Sequence, residues 1–267
     1  MASDTTNPRN ARDGTHEPLV AATALAMALS LTALAAQFPT LVATAEREAL
    51  SYSDFALRLL ACEADTRKSR RLTRNRRRSG LPTMVEGLED FDFSLRPKLE
   101  ARVVKELLAC RWADEGRNIV CIGRPGLGKT RVLDALAEAA CRRGLIVRKV
   151  VTAQMLEDLH ASLADGTYNR ALRRYEKPDV LYCDEFGYAP FDSQATNHLF
   201  RLVCARHQKR SILLAANTGF RNWRLFFPSE AQAVATVDRL VDRATILRFT
   251  GKSWREPQDI YGDEVEE

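Results

Sequence analysis

The chain has 267 residues, 45% of them hydrophobic, which is ample for one large domain or two small ones. Its formal charge of +5 is concentrated: residues 67–78, RKSRRLTRNRRR, hold eight Lys/Arg and no acid, leaving 32 basic against 35 acidic residues elsewhere. Six cysteines with no C-x-x-C spacing and four scattered histidines exclude a disulfide framework and a zinc-ligand pattern; the thiols read as reduced and mostly buried, as in a cytoplasmic protein.

Residues 1–18 are polar, with Pro8, Gly14 and Pro18 and no periodicity, and are expected to form a disordered tail. Leu19 to Ala36 is eighteen residues without a charge, near the lower limit for a membrane span, and it ends in small residues like a secretory signal. Ala and Thr outweigh Leu and Ile there, however, and Asp13 and Glu17 sit where a signal carries positive charge. The segment therefore reads as a packed helix, with no membrane partner. Helices are expected over Leu19–Gln37, with Pro39 as the breaker, over Thr40–Leu50, and from Phe55 to about Arg78 behind N-cap residues Ser51–Asp54. Together they form a helical, basic N-terminal domain, 19–79.

A run of cations is ordinarily a solvated helix face. This one lacks the alternating acids such a face carries, and a phosphate backbone rewards uncompensated cations through counterion release. Arg67, Lys68, Arg70, Arg71, Arg74, Arg76, Arg77 and Arg78 are accordingly the candidate contacts to duplex DNA. Ser79-Gly80-Leu81-Pro82 ends the helix, and residues 80–117 read as a linker with two aromatics, Phe91 and Phe93, and a leading helix from Pro97 to Trp112.

The central stretch is Asn118–Thr130, NIVCIGRPGLGKT. A short apolar run, Ile119–Ile122, reads as a buried strand. Gly123, Arg124, Pro125, Gly126, Leu127, Gly128, Lys129 and Thr130 then satisfy G-x-x-x-x-G-K-[ST], and residues at helical spacing follow as far as Gly144. Glycines let backbone N–H groups wrap a polyphosphate, and the helix N-terminus adds a favourable dipole. Lys129 is the expected ligand of the β- and γ-phosphates and the Thr130 hydroxyl a ligand of Mg²⁺, so the chain is expected to bind ATP.

Strands and helices then alternate. Strands are expected at Ile146–Val151, Pro178–Glu185, Ile212–Ala216 and Ala244–Phe249, with helices at Ala153–Ala164, capped by Thr152, and Ser193–Gln208. This predicts an α/β fold with a five-stranded parallel sheet, its ligands at the carboxyl ends of the strands. Asp184 ends its strand about 55 residues after the P-loop, where a Mg²⁺-holding carboxylate belongs. Glu185 beside it would take a proton from attacking water, a hydrolase pattern rather than that of a P-loop kinase. Asn217, ending the next strand, would orient the same water.

The series GRPGLGKT, VLYCDEFGY, AANTGF, VDRL and GKSWR, in this order and spacing, resembles the IstB-like transposition helper ATPases, AAA+ proteins of the initiator clade related to DnaC helicase loaders. The resemblance is strong over about residues 88–255. It implies that Asn217 is sensor 1 and that Arg239 is an arginine finger presented to a neighbouring subunit. It also implies a homo-oligomer that assembles on DNA with ATP and assists a transposase. A replicative helicase is the partner in the loader alternative, and a nucleotide-gated DNA-binding scaffold with negligible turnover is the alternative of another class. Ala216 stands where the family often has Ser, and Trp254 where Tyr is usual before Arg255. Only about 28 residues follow Arg239, too few for a C-terminal helical lid, which the family also lacks. The expected ATPase core is 118–255, and 256–267, with six acids and no base, is an acidic tail.

Overall fold

In a computed structural model, residues 16–253 are described; the tail expected before residue 16, the acidic tail, and Trp254 and Arg255 lie outside them. The chain divides into two compact units, one running to Thr73 and the other from Arg74 onward.

The first unit is all-α: α1 His16–Ala28, α2 Thr32–Glu48 and the greater part of α3, Tyr52–Arg78. Residues 16–18 thus belong to a helix rather than to a tail. Glu17 suits the positive end of the dipole, and Pro18 costs nothing in a first turn whose N–H groups lack intrahelical partners. The expected break at Pro39 is also overturned: the chain turns at Ser30 (φ 59°), and α2 runs through Pro39. The cause is tertiary. Glu63, on α3 and only 6% exposed, accepts the N–H groups of Ala33 (3.0 Å) and Leu34 (3.1 Å), capping α2 from another helix. Arg67 Nε donates to Glu63 at 2.8 Å, and the Arg67 and Arg70 side chains also reach the Ser30 carbonyl and the Thr32 hydroxyl.

In the second unit, which takes the end of α3, come α4 Ala101–Leu107 and α5 Arg111–Asp114, two short helices where one from Pro97 to Trp112 was expected. Cys110 breaks them in a left-handed conformation (φ 57°), and Arg143 Nη1 donates to its carbonyl at 2.8 Å. Then follow β1 Ile119–Ile122, α6 Lys129–Arg143, β2 Val147–Val151, α7 Thr152–Ala164, α8 Tyr168–Glu176, β3 Val180–Phe186, α9 Ser193–Arg206, β4 Ser211–Ala216, α10 Phe220–Trp223, α11 Glu230–Val241 and β5 Thr245–Arg248. The five strands match the expected ones to within two residues at either end. Helices α8, α10 and α11 are additions. Thr152 is not the cap of α7 but its first residue, and its hydroxyl donates to the Asp184 carbonyl at 2.7 Å.

All pairings are parallel, in the order β2-β3-β4-β1-β5. Side chains alternate between two buried clusters, as covered faces require. Ile119, Cys121, Tyr182 and Leu213 face one cluster with α6, Phe91 and Trp112; Val120, Leu181, Cys183 and Leu214 face the other with α7, α8, α9 and Trp223. Among the described residues no helix follows β5. Because β4 lies between β1 and β3, the residue after β4 falls between the P-loop and the end of β3.

Candidate nucleotide-binding site

The loop Gly123–Gly128 leaves β1 and enters α6 at Lys129. Gly123 has φ 155°, and a Cβ there would lie 2.3 Å from the Phe249 carbonyl oxygen, so the base of the loop admits glycine alone. Gly128 has φ 88°, another left-handed backbone just before the helix. Arg96, fully buried at 0% exposure, donates from Nε to the Leu127 carbonyl at 2.9 Å and from Nη1 to the Lys252 carbonyl at 2.8 Å. A planar trans peptide with its C=O drawn toward Arg96 turns the following N–H, that of Gly128, to the opposite side. The Lys129 ammonium is folded back on the loop, donating to the carbonyls of Gly123 (2.6 Å) and Arg124 (2.8 Å).

Pro125, Gly126, Leu127, Gly128, Lys129 and Thr130 line one cleft of about 440 Å³ together with Asp184, Glu185 and Asn217. Residues 91 positions apart thus meet at the carboxyl ends of β1, β3 and β4. The meeting of Asp184 and Glu185 with the loop depends on a bulge. Cys183 pairs with Leu214 and Phe186 with Ala216, so two residues of β3 oppose one of β4. Glu185 takes a left-handed conformation there (φ 54°), a strain that a non-glycine residue tolerates only where its surroundings enforce it. Gly123 and Arg124 are not among the residues lining it; their carbonyls accept the Lys129 ammonium. Arg239 does not line it: on α11, its Nη1 donates to the Ala235 carbonyl at 2.7 Å and its guanidinium lies 5.2 Å over the Phe200 ring.

The Asp184 carboxylate is held on both oxygens. Oδ1 accepts the Glu185 N–H at 3.0 Å; Oδ2 accepts the Tyr182 hydroxyl at 3.3 Å and lies 3.6 Å from Lys149 Nζ. Lys149 also bonds Asp134 Oδ1 at 2.6 Å. Burial raises the Asp134 pKa above the ordinary carboxylate value despite that lysine, and burial raises the Tyr182 phenol strongly, keeping it a donor toward Asp184. Arg96, Lys149, Tyr182 and Glu86, which also lines the cleft, were not singled out from sequence. Tyr182 alone carried a signal, two positions before Asp184 and so on the same face of the strand.

Solved structures share this fold. The chain superposes on DnaI with a TM-score of 0.54 at 19% identity, over 64% of this chain and 96% of that one. On the replication initiator DnaA, solved bound to AMPPCP and single-stranded DNA, the score is 0.53 at 20% identity, over 65% of this chain and 52% of that one, about half its length. Sequence relatives are closer. An insertion-sequence ATP-binding protein of Mycobacterium tuberculosis is 34% identical over 207 residues, 77% of this chain and 82% of that protein. The ATP-binding protein of insertion sequence IS21 in Pseudomonas aeruginosa is 31% identical over 216 residues, 81% of each. The pattern that defines the IstB-like ATP binding proteins of IS21 type matches residues 24–260, and the chain belongs to that family.

Proposed function

We propose that this protein is a Mg²⁺-dependent AAA+ ATPase that assembles as a homo-oligomer on duplex DNA and assists a transposase in target selection or DNA remodelling. The observation that carries the reading is the single cleft in which the P-loop, the Asp184–Glu185 bulge and Asn217 converge. Thr130 and Asp184 offer a hydroxyl and a carboxylate to that cleft, hard oxygen donors that fit magnesium. The metal, when bound, neutralises charge on the phosphate oxygens. Lys129 and the loop amides hold the polyphosphate, Glu185 takes the proton of the attacking water, and Asn217 orients that water. Arg239, outside the cleft of its own chain, acts on the ATP of a neighbour.

The test is ATP turnover with and without duplex DNA, across protein concentration. Glu185→Gln should bind ATP normally and lose about 10²–10⁴ in turnover, the usual worth of a general base. Turnover at the wild-type rate would remove Glu185 from the chemistry. Arg239→Ala should bind ATP but lose stimulated turnover by about 10³ or more, as expected of an arginine finger. Mixing it with Lys129→Ala should restore part of the activity, because each subunit then supplies what the other lacks; an inactive mixture argues against action in trans. Activity indifferent to DNA favours the helicase-loader reading, and DNA-dependent assembly without turnover favours the scaffold.

A further inference from the structure

The basic run of α3 does not behave as one surface. Arg67, Arg70 and Arg76 have partners within the fold, Arg76 pairing with Glu138 and with the carbonyls of Leu81 and Pro82. Arg74 and Arg78 instead line an open cleft of about 890 Å³ floored by Ile146, Val147 and Pro178. Its far wall is α8. The inward face of that helix buries Tyr168, Ala171, Leu172 and Tyr175. Its outward face is cationic: Arg170, Arg173 and Arg174, with Lys177 at the C-cap, follow i, i+3, i+4, i+7 spacing into the same cleft.

No acid lines this cleft, and among the described residues the nearest carboxylate to act on these six cations is that of Asp165, within electrostatic range of Arg170 but outside the cleft. A seventh, Arg148, stacks 5.2 Å over the Tyr175 ring with its Nε buried and without a hydrogen-bond partner. Cations at helix C-termini ordinarily complement the dipole, and α3 and α8 both end here. One or two serve that purpose; seven repel one another unless an anion is bound. The cleft lies at the start of β2 and β3, the end of the sheet opposite the nucleotide cleft, so the ATP phosphates do not account for it. The α8 stripe spans about 10 Å. That covers about three phosphate-to-phosphate steps of one strand at ~3.4 Å axial spacing, which favours a long polyanion over a single phosphate group.

We propose that this cleft is the track for the duplex DNA backbone, gripping phosphates without reading sequence. The inference rests on the DNA-binding reading above and relocates it, from a run in the sequence to a site assembled from α3, β2 and α8. The test is binding of a fluorescein-labelled duplex to the full chain by anisotropy, titrated across salt. The triple variant Arg170→Gln, Arg173→Gln, Arg174→Gln should lose roughly tenfold or more in affinity, and its salt slope should shrink by about one per phosphate contact removed. The corresponding triple lysine variant should keep most of both. All three side chains are exposed, so melting temperature and ATP affinity should stay at wild-type values. If the wild type binds duplex and the glutamine variant binds equally well with the same slope, the cleft proposal is overturned while the DNA reading stands. If Lys68→Gln with Arg71→Gln carries the whole loss instead, the track lies elsewhere and the proposal also falls. If polyglutamate binds the wild type as tightly as duplex and the triple variant loses polyglutamate alone, the cleft docks an acidic protein segment. A wild type that binds no duplex overturns both readings.

Discussion

Replacing Lys129 with alanine should abolish measurable ATP binding while leaving the protein folded. The side chain is only 6% exposed, and its ammonium already accommodates two acceptors, the carbonyls of Gly123 and Arg124. A triphosphate presents stronger ones. A charge-assisted hydrogen bond contributes about 1.5–3 kcal/mol, so two such bonds lost correspond to an affinity loss of roughly 10²–10⁴. The loop itself should survive, because Arg96 and the Gly123–Phe249 approach hold it independently of the lysine. Titration with a fluorescent ATP analogue reads the affinity, and a thermal melt reads the fold. An alanine variant that binds within a few-fold of wild type would remove the P-loop from phosphate binding.

The largest effect on stability is expected at Arg206, at the end of α9. The residue is 1% exposed, and its guanidinium donates to five backbone carbonyls: Tyr175, Glu176, Pro178, Asp179 and Ser211, at 2.7–3.3 Å. Burial lowers its pKa to about 10, so it is charged at neutral pH. It gathers the end of α8, the turn into β3 and the start of β4 around one cation. Arg206→Met matches the stem but supplies no donor. A buried carbonyl left unpaired costs about 1–3 kcal/mol, and here several lose their donor at once. That is a large share of the 5–15 kcal/mol by which domains are usually stable. Urea denaturation should show the midpoint collapsing, with Arg206→Lys recovering part of it through three donors. A methionine variant as stable as wild type would mean that water satisfies those carbonyls.

The legible parts of this protein were those in which chemistry is written into consecutive residues. The P-loop is local: its glycines, lysine and threonine must stand at fixed spacing, and they do. The parallel sheet followed from apolar runs alternating with helical periodicity, and the meeting of Asp184, Glu185 and Asn217 with the loop in one cleft followed from their places at strand ends. What could not be read was set by partners distant in sequence. Pro39 does not end a helix because Glu63, thirty residues from Ala33, decides where α2 begins. The left-handed turn at Glu185 needs the register of β3 against β4. Lys149, Arg96 and Arg206 look like ordinary cations until the carboxylates and carbonyls around them are known. The stripe on α8 had a signal, apolar Tyr168, Ala171, Leu172 and Tyr175 at helical spacing, but its arginines gained meaning only beside α3.

Residues 80–117 look like a connector, and a motif-based cut would fall at Asn118. Yet Leu81, Phe91, Leu99, Val104 and Trp112 share one buried cluster with Ile119 and Leu213. From the same stretch Arg96 fastens both the Leu127 carbonyl and, near the other end of the described chain, that of Lys252. Residues 80–117 therefore belong with the sheet, in the compact unit that starts at Arg74. A chimaera spliced at Asn118 would inherit a phosphate-binding motif without the residue that orients its peptide plane, and a sheet missing one of its covering walls. Exchange between relatives keeps the nucleotide cradle whole only if everything from Arg74 through Lys252 travels together.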